Sequence, residues 1–591
     1  MNSPPISANA LQVLEKRYLI KGEDGKVIET PDQMFRRVAR NVAAVNDHYH
    51  DRKRAEEEEK FYRAMRDLEF LPNSPTLMNA GTDLQQLSAC FVVPIDDSIE
   101  SIYTAVKQAA LIHQTGGGAG FSFSRLRPAG DAVKSTGGIA SGPVSFMKVF
   151  DAATEAIKQG GRRRGANMGI LRVDHPDVER FISAKEESGA LTNFNISVAV
   201  TDEFMEKAGK GEDYDLVNPR TDKVSRTVSA PYILERMATS AWNTGDPGAI
   251  FIDAVNRSNP TPGLGDIEAT NPCGEVPLLP FEACNLGSIN LDRMFGDDSA
   301  ELDMDKLART VDLGVRFLDN VIDANRFPLE ETRAVVLGNR KIGLGVMGFA
   351  DMLARMRVRY GSKRSLEIAE NLIVFIKDKA EKASGDIARS RGDFPNISKS
   401  IFKGPRRNAT VLSIAPTGTI SMIASCSSGI EPYYAIAYTK NVLGGQRLME
   451  VNPHFVSAAV KGGFYSEELM RKLTTSLSVQ GLDEVPKEAK DAFVTAHDIE
   501  VEEQVDVQAV FQKHVDNAVS KTINLPESSS WKDVLRAYQY AHSKKCKGIT
   551  VYREGSRQGQ VLTALGSISL CPHCGQPMRA EEGAMQCESC G

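Results

Sequence analysis

The five residues Asn271-Pro272-Cys273-Gly274-Glu275 place an amide, a thiol and a carboxylate close together. Pro272 and Gly274 flank the thiol, and they disfavour both a regular helix and a central strand. We therefore expect a tight loop with Cys273 at its tip. If that loop is extended, Asn271, Cys273 and Glu275 alternate and point to one side, around a small substrate. The alternative is a surface turn with an incidental cysteine.

Two other cysteines lie next to apolar sequence. Cys284 follows the loop in Ala283-Cys-Asn-Leu-Gly-Ser288. Cys90 begins the segment Cys90-Phe-Val-Val-Pro94, which we expect to be a short buried strand. A lone cysteine beside such a strand usually packs in the core, so these residues alone assign no chemistry to either thiol.

The composition is that of an ordinary globular protein larger than one typical domain. The chain has 591 residues, of which 41% are hydrophobic and 25% are charged. Its net charge of -6 gives no electrostatic basis for non-specific binding to nucleic acid. We find neither a signal peptide nor an apolar run long enough to span a membrane. The odd number of cysteines, nine, suits a reducing, cytoplasmic compartment.

Helix signals recur along the first part of the chain. Residues 1–70 read as helical, with one helix beginning at Pro31 and carrying apolar residues at helical spacing. Another helix is expected after Asp96-Asp97-Ser98, where Asp or Ser can act as the cap. A third is expected from Ser141-Gly-Pro143, because proline suits the first helical turn.

Two segments have the composition of ligand-binding loops. Gly116-Gly-Gly-Ala-Gly120 lets the backbone approach a ligand closely, although it lacks the ending of a phosphate-binding P-loop. An apolar strand over residues 410–414 leads into Ala415-Pro-Thr-Gly-Thr-Ile-Ser421. Small and hydroxyl-bearing residues before a helix start offer backbone N–H groups to an anion. Either segment alone also fits an ordinary turn.

Taken together, these segments resemble the ribonucleotide reductases, in that family's order along the chain. The Cys273 loop resembles the family's active-site loop, and four other segments match: Leu71-Pro-Asn-Ser-Pro-Thr-Leu-Met-Asn-Ala-Gly81, Leu87-Ser-Ala-Cys90, Ala415–Ser421 and Gly548-Ile-Thr-Val-Tyr-Arg553. Two segments resemble the adenosylcobalamin-dependent (class II) branch: Gly160-Gly-Arg-Arg-Arg-Gly-Ala-Asn-Met-Gly169 and Arg340-Lys-Ile-Gly-Leu-Gly-Val-Met-Gly-Phe-Ala-Asp351. Several segments in order are more specific than one motif.

The resemblance implies an α/β fold, a ten-stranded α/β barrel with the Cys273 loop threaded through its centre. The barrel is expected over residues 71–555, after the helical region 1–70, with an allosteric specificity region at about 96–170. Since the resemblance begins at Ala8-Asn-Ala-Leu11, we expect no additional N-terminal nucleotide-binding domain and no overall activity switch.

The resemblance also implies reduction of ribonucleoside diphosphates to 2′-deoxyribonucleotides for DNA synthesis, a diphosphate being favoured over a triphosphate. Adenosylcobalamin would generate a thiyl radical on Cys273, which takes the 3′-hydrogen. Glu275 would be the general base and Asn271 would orient the sugar hydroxyls. Cys90 and Cys284 would protonate the departing 2′-hydroxyl and then form a disulfide, which requires their Cα atoms to lie within about 6 Å.

Binding residues and partners follow from the same resemblance. The implied substrate-binding residues are Ser74, Thr76, Ala89, Gly118, Pro416, Thr417, Gly418, Thr419, Ile420 and Ser421. A dNTP or ATP effector would bind at Asp97, Ser98 and Arg127, and the region around Arg162-Arg163-Arg164 would carry its signal to the active site. The expected partners are a second copy of the chain and a thioredoxin-like reductant, with neither nucleic acid nor membrane.

The C-terminus carries two CxxC pairs. Residues 556–570 read as a linker, and residues 571–591 contain Cys571, Cys574, Cys587 and Cys590. Four thiolates at this spacing indicate a tetrahedral zinc knuckle. The competing interpretation is a redox tail that reduces the Cys90–Cys284 disulfide by thiol exchange.

Two alternative functions remain open. A class I large subunit would draw its radical from a separate metal-containing subunit, but the C-terminal tyrosine pair of those subunits is missing. We interpret Tyr433-Tyr434 as packing, and Cys426 and Cys546 as structural or incidental. A non-catalytic nucleotide-binding or zinc-ribbon nucleic-acid-binding protein is the other alternative. The intact Cys273 loop and the acidic net charge argue against it.

Overall fold

The computed structural model describes most of the chain: residues 4–50, 53–133, 137–157, 165–187, 189–296, 299–442 and 446–556. Only the backbone is described at 438–442, 446–450, 474–475, 562–563, 578–581 and 584–587.

The strands are, in chain order, β1 (Phe70–Pro72), β2 (Cys90–Val92), β3 (Gly118–Ser122), β4 (Ala132–Val133), β5 (Gly138–Ile139), β6 (Asn167–Arg172), β7 (Phe194–Val200), β8 (Asp213–Asn218), β9 (Lys223–Ser229), β10 (Gly248–Phe251), β11 (Ala269–Thr270), β12 (Pro277–Leu278), β13 (Ala283–Asn290), β14 (Ile342–Met347), β15 (Ala437–Val442), β16 (Gln446–Val451), β17 (Thr522–Leu525), β18 (Gly548–Arg553), β19 (Leu562–Thr563), β20 (Met578–Glu581) and β21 (Ala584–Cys587).

The α-helices are α1 (Ala8–Arg17), α2 (Pro31–Ala43), α3 (Arg54–Arg66), α4 (Ser74–Asn79), α5 (Ile99–Gln114), α6 (Pro143–Ile157), α7 (Val178–Ile182), α8 (Asp202–Lys210), α9 (Ala230–Thr244), α10 (Ile252–Arg257), α11 (Met304–Ala324), α12 (Glu330–Asn339), α13 (Phe349–Arg355), α14 (Lys363–Arg391), α15 (Ile420–Ala424), α16 (Pro453–Lys461), α17 (Glu467–Thr475), α18 (Lys487–Ala492), α19 (Val501–Gln512) and α20 (Trp531–Ser543). Short 3₁₀ helices cover Ala44–Tyr49, Pro262–Leu264, Leu291–Arg293, Ile397–Lys399 and Ala496–Asp498.

A ten-stranded sheet organises the chain, in the order β1-β13-β2-β3-β6-β7-β10-β18-β17 with β14 beside β13. Strands β2, β3, β6, β7 and β10 run parallel, while β13 and β18 run antiparallel to their neighbours β2 and β10. Single bridges from Leu344 to Leu412 and from Ile414 to Val519 join the β14 edge to the residues before β17. The sheet therefore closes through residues 410–414, which confirms the expected α/β barrel.

Local signals in the sequence explain where the helices begin. The side chain of Thr30 and that of Gln33 form a reciprocal capping box at the start of α2, whose face toward the core includes Met34 and Val38. Ser98 caps α5 by accepting a hydrogen bond from the N–H of Ser101 at 3.1 Å. The predicted helix after Ser141 is α6, but its predicted end at Gly160-Gly161 lies outside the described residues.

Apolar side chains form a large core between the barrel and its helices and a smaller cluster that includes Cys90, Met168, Ile250 and Cys284. This smaller cluster joins strands β2, β6, β10 and β13, and it surrounds the hairpin β11–β12. No helix in the described ranges has both the length and the apolar composition needed to cross a membrane.

A buried ion cluster centred on Asp319 of α11 connects the N-terminal helices to the barrel. Its carboxylate lies 2.9 Å from Arg340, 3.5 Å from Arg391 and 3.4 Å from Arg407. Arg407 also donates a hydrogen bond to the hydroxyl of Tyr49 at 2.6 Å. Burial acts to raise the pKa of Asp319, but the three guanidinium groups hold that pKa below its usual value.

We expect Asp319→Asn to lower the free energy of unfolding by about 3–5 kcal/mol, because it leaves buried guanidinium groups without their central charge. A carboxyl whose folded pKa is depressed stabilises the fold above its unfolded pKa, about 3.9, and loses that contribution as the pH falls further. Urea denaturation between pH 7 and about pH 3 measures this, and the acid-dependent loss should be smaller in the variant.

The matched control is Asp386→Asn, which removes a surface carboxylate that pairs with Lys382 at 2.9 Å and with Arg389. An exposed pair of this kind contributes little, so its unfolding curve should match that of the parent protein. Equal losses for the two variants would contradict the assigned role of the buried cluster.

Candidate active site

The Cys273 loop is the tip of the hairpin formed by β11 and β12. Gly274 has a φ of 80°, a left-handed conformation that glycine adopts without strain. Its N–H donates to the carbonyl of Asn271 at 3.1 Å, and Oδ1 of Asn271 accepts from the N–H of Val276 at 2.9 Å. The loop is therefore folded by its own glycine and asparagine, and Cys273 is exposed at its tip.

The extended loop on which the one-sided arrangement of Asn271, Cys273 and Glu275 depended is not formed. The side-chain amide of Asn271 donates to Oε2 of Glu275 at 2.7 Å, and both residues are buried, whereas Cys273 is exposed. The physical reason is the left-handed Gly274, which breaks the extended alternation on which the prediction depended.

Contacts from distant parts of the chain hold the loop in the barrel. Nδ2 of Asn195 donates to the carbonyl of Pro272 at 2.8 Å. On the other side, the carbonyl of Glu275 accepts from the hydroxyl of Ser413 at 2.9 Å and from the N–H of Ala518 at 2.8 Å. The loop therefore spans from β7 to the segment that closes the barrel.

Two glycines of β3 make room for this loop. A Cβ on Gly118 would lie 2.9 Å from Cγ of Pro272, and a Cβ on Gly120 would lie 1.7 Å from the carbonyl oxygen of Thr270. The backbone of β3 thus touches the hairpin directly. Gly118 also pairs with Cys90 across β2 and β3, so the predicted substrate residue Gly118 lies beside both the loop and the first thiol.

Cys90 and Cys284 face each other on adjacent antiparallel strands, since the β2–β13 register pairs these two residues directly. Opposed residues in such a ladder have Cα atoms roughly 4.5–5.5 Å apart, within the range that a disulfide requires. Nδ2 of Asn271 donates to Sγ of Cys90 at 3.2 Å, which joins the thiol pair to the loop. Burial raises the pKa of the Cys284 thiol above its ordinary value.

The predicted strand over residues 410–414 is present only as single bridges at Leu412 and Ile414, and the predicted anion-binding segment 415–421 directly follows it. Thr417 has a φ of 52°, and its hydroxyl accepts from the N–H of Gly429 at 2.7 Å. Gly418 is exposed, and α15 begins at Ile420, where the first N–H groups of a helix have no partner within the helix. Of these N–H groups, that of Ser421 donates to the carbonyl of Thr417 at 2.9 Å and that of Ile423 donates to the carbonyl of Thr419 at 3.2 Å, so the exposed residue of this turn is Gly418.

The three expected substrate-binding residues before β2, Ser74, Thr76 and Ala89, differ in whether they can contact a ligand. Ser74 begins α4 and lies 2.7 Å from the hydroxyl of Tyr18, and Ala89 immediately precedes β2. Thr76 is fully buried, and its hydroxyl donates to the carbonyl of Leu87 at 3.0 Å. Thr76 can therefore influence a ligand only through the position of the loop that leads to Cys90.

A cavity of about 1160 Å³ opens at the tip of the loop. Pro272, Cys273 and Gly274 form part of its wall. Its other lining residues come largely from the strands and adjoining turns of the same side of the barrel, and they include Asn195, Ser197, Asp246, Gly248, Lys521, Gly548 and Thr550. Cys273 thus lies in the cavity wall, at the tip of the hairpin that also carries Asn271 and Glu275.

None of the site residues expected from the sequence lies between residues 174 and 270, yet two residues of the site come from this segment. Asn195 supports Pro272, and Asp246 forms a nearly buried ion pair with Lys185 at 2.8 Å in the cavity wall. The only local signal for Asn195 was an amide within the apolar strand Phe194–Val200.

The two adjacent tyrosines have different surroundings. Tyr434 packs against His497 and also lines the cavity, whereas Tyr433 is buried and donates a hydrogen bond to Asp351.

The expected effector residues meet at the start of α5. Nε of Arg127 lies 2.8 Å from Oδ2 of Asp97, whose other oxygen accepts from the Arg127 N–H at 3.1 Å. Arg125 contacts Asp96 at 2.9 Å and Glu268 at 3.1 Å. Because Glu268 immediately precedes β11, Arg125 joins this region to the base of the Cys273 hairpin.

Two groups of predicted residues lie outside the described residues: Arg162, Arg163 and Arg164, and the side chains of Cys571, Cys574, Cys587 and Cys590. Within the described ranges, no three His, Cys, Asp or Glu side chains are arranged to hold a metal ion. Cys546 is buried in the core and Cys426 is partly buried against it.

Family models of the ribonucleotide reductases match nearly the whole chain. The barrel-domain model matches residues 88–404 and 393–552, and the all-alpha-domain model matches residues 6–85. The chain belongs to the ribonucleotide reductase family.

Within this family, the chain is similar to enzymes that depend on vitamin B12. The vitamin B12-dependent ribonucleoside-diphosphate reductase of Thermoplasma acidophilum is 48% identical over 95% of this chain and 80% of its own length. The enzyme of the same name from Mycobacterium tuberculosis is 48% identical over 95% of this chain and 81% of its own length. A solved structure, the Actinobacillus ureae class Id ribonucleotide reductase alpha subunit, has the same fold, with a TM-score of 0.78 at 23% identity over 96% of this chain and all of that one.

Proposed function

We propose that this chain reduces ribonucleoside diphosphates to 2′-deoxyribonucleoside diphosphates by a radical mechanism that depends on adenosylcobalamin. The observation that carries the proposal is the position of Cys273. It lies at the tip of a hairpin inside the barrel, at the wall of a large cavity, and the same loop contacts the paired thiols through Asn271. Relatives that are 48% identical carry this activity in their names.

The cavity beside Cys273 is larger than a pocket for an ordinary small-molecule ligand, which supports a large cofactor there. Its volume, about 1160 Å³, exceeds the roughly 300–1,000 Å³ of pockets that hold drug-sized ligands. Glycine backbone at Gly248 and Gly548 and the small polar side chains of Asn195 and Thr550 would hold the cofactor there. When bound, adenosylcobalamin supplies the initiating radical by homolysis of its cobalt–carbon bond.

We assign the remaining steps of the reaction to residues of the Cys273 loop and to the thiol pair. Cys273, once oxidised to a thiyl radical, would take the 3′-hydrogen of the ribose and return a hydrogen to C3′ after the 2′-position is reduced, which regenerates the thiyl radical. Glu275 accepts the proton of the 3′-hydroxyl, and Asn271 orients that carboxylate through the 2.7 Å hydrogen bond. Cys90 and Cys284 supply two electrons and two protons, so that the 2′-hydroxyl leaves as water and the two sulfurs join. Their direct opposition on β2 and β13 supports this last step.

We infer that the substrate lies between the thiol pair and the turn at 416–421. Backbone N–H groups around Gly418 and the start of α15 would bind its phosphates. Ser74, Ala89 and Gly118 would line the path between the phosphates and Cys90. The hydroxyls of Thr419 and Ser421 belong to the same turn, while Pro416 also reaches the cofactor cavity.

We infer that a dNTP or ATP effector binds at Asp97, Ser98 and Arg127, where Arg125 connects the site to the active-site hairpin. The same helix, α5, exposes Ile99, Tyr103 and Leu111. Exposed apolar residues grouped on one helix mark an interaction surface, which supports a homodimer formed through α5. The proposed external partner is a thioredoxin-like reductant, and the proposed role of the tail cysteines is zinc binding with redox exchange.

The deciding experiment is anaerobic turnover of CDP or ADP by the purified chain with dithiothreitol, with and without adenosylcobalamin. We expect deoxynucleotide only when the cofactor is present. Product that appears only after addition of a metal-loaded radical subunit would instead indicate the class I mechanism. Absence of product under both conditions would favour a non-catalytic nucleotide-binding protein.

A variant that fills the cavity tests the cofactor site without turnover. Thr550→Trp places an indole in the cavity wall, and we expect it to weaken adenosylcobalamin binding at least about tenfold. Equilibrium titration followed by cobalamin absorbance measures the affinity, and nucleotide binding should be unchanged. The conservative Thr550→Ser variant should bind the cofactor as the parent chain does. Equal affinities for all three proteins would place the cofactor elsewhere.

A further inference from the structure

A buried ion pair lies beside the redox-active thiols. Nζ of Lys341 is 2.7 Å from Oε2 of Glu282, and the two side chains are only 2% and 1% exposed. Glu282 also accepts from the side-chain amide of Asn339 at 2.6 Å and from the N–H of Leu279 at 2.7 Å. Burying two charges costs more than such a pair commonly returns in stability, so stability alone does not account for this pair.

Strand register places Lys341 next to Cys284. In the parallel pair β13–β14, Asn285 is aligned with Ile342, so the residues immediately before them, Cys284 and Lys341, are also neighbours. Cys90 lies on the opposite side of Cys284, across the β2–β13 ladder. Glu282 lies two positions before Cys284, and its carboxylate is one of the charges that act on that thiol.

Three charged groups act on Cys284: the ammonium of Lys341 and the carboxylates of Glu282 and Glu275. Burial raises the pKa of Cys284, and Lys341 is the strongest of the charges and the one that opposes this rise. Two charged groups face Lys341, the carboxylate of Glu282 and the ammonium of Lys547. Lys547 is buried and donates to the backbone carbonyls of Asp516 and Asn517.

We propose that Lys341 is a positioning residue for the redox step: it holds a positive charge beside Cys284, so that this sulfur is released as the thiolate when the Cys90–Cys284 disulfide is reduced. The proposal rests on the proposed function, which forms that disulfide in each turnover. Glu282 fixes the lysine in place and prevents it from moving into the cofactor cavity or toward solvent.

The step balances as an ordinary thiol–disulfide exchange with a small dithiol as the reductant. One thiolate of the dithiol attacks Sγ of Cys90, the S–S bond breaks, and its electron pair passes to Sγ of Cys284. That thiolate forms beside the ammonium of Lys341 and then takes a proton from water. The second thiolate of the dithiol attacks the mixed disulfide, which releases Cys90 and leaves the dithiol oxidised.

The test uses the full oxidised chain without nucleotide or cobalamin. A monothiol, 2-mercaptoethanol, lacks the fast intramolecular second step of a dithiol, so acid quenching at early times traps the mixed disulfide, and peptide mass spectrometry identifies the cysteine that carries it. We expect the adduct on Cys90. Lys341→Gln should slow reduction at pH 7 at least about tenfold, move the pH profile to higher pH and weaken the preference for Cys90. Lys341→Arg should preserve the parent rate.

Glu282→Gln separates an electrostatic role from a structural one. It removes a negative charge near Cys284 but keeps an oxygen that can accept from Lys341, so the reduction rate should fall less than in Lys341→Gln, whereas a mere structural brace predicts equal losses from Lys341→Gln and Glu282→Gln. If either single variant fails to fold, the double variant Lys341→Met/Glu282→Leu replaces the pair by apolar groups of similar size. It should fold and be reduced slowly.

An unchanged reduction rate in Lys341→Gln or the double variant, or an adduct on Cys284 in the parent chain, would overturn the role of Lys341. Failure of the proposed function is recognised separately, because no Cys90–Cys284 disulfide would then appear in the parent chain after single-turnover reaction without reductant.

Discussion

Cys273→Ser is expected to abolish deoxynucleotide formation, with a loss of at least roughly 10⁴-fold, or about 5 kcal/mol in the activation barrier. Serine keeps the shape of the side chain, but an alkoxyl radical cannot be generated in place of a thiyl radical because the O–H bond is much stronger than the S–H bond. Cys273 is exposed at the tip of its hairpin, so the substitution removes little packing. The thermal unfolding midpoint and the affinity for adenosylcobalamin should therefore stay close to those of the parent chain.

The measurement is anaerobic turnover with dithiothreitol, combined with equilibrium binding of nucleotide and cofactor. Cys426→Ser is the matched control, since Cys426 is partly buried against the core and belongs to neither the loop nor the thiol pair. It should retain full activity. Turnover by Cys273→Ser at the parent rate would refute a thiyl radical at this position and would reopen the non-catalytic alternative.

Gly120→Ala is expected to lower kcat/KM by about 10²-fold or more, although residue 120 carries no reactive group. Its Cβ would lie 1.7 Å from the carbonyl oxygen of Thr270 and 2.8 Å from the carbonyl carbon. Both atoms belong to backbone at the base of the Cys273 hairpin, so relief of the overlap must displace the hairpin or β3. We also expect the overpacking to cost about 1–3 kcal/mol of stability.

Hydrogen exchange at residues 269–278 tests the displacement directly, alongside turnover and urea denaturation. Protection of the hairpin amides should fall in Gly120→Ala. Gly209→Ala is the control, because a Cβ at this position on α8 meets nothing within 4 Å. Its helix should be slightly stabilised and its activity unchanged. Parent-like activity and exchange in Gly120→Ala would mean that β3 does not support the active-site hairpin.

Strongly local features were predictable. The start of α2, the cap of α5 and the loop at Cys273 depend on a few neighbouring residues whose preferences act over one or two turns of chain. The extended course of the Cys273 loop was predicted wrongly for a related reason. Gly274 adopts a left-handed conformation that tightens the loop, and in this loop Asn271 and Glu275 are buried while Cys273 is exposed.

By itself, the sequence determined which reactive groups this protein has and their order along the chain, together with the starts of several helices. Tertiary structure alone decided which groups meet. Cys90 opposes Cys284, Lys341 adjoins Cys284 and Asn195 supports Pro272 because distant strands pair in one register. A shift of one residue in any of these ladders would turn the side chain to the other face of the sheet. Register depends on the packing of the whole barrel, which no short stretch of sequence specifies.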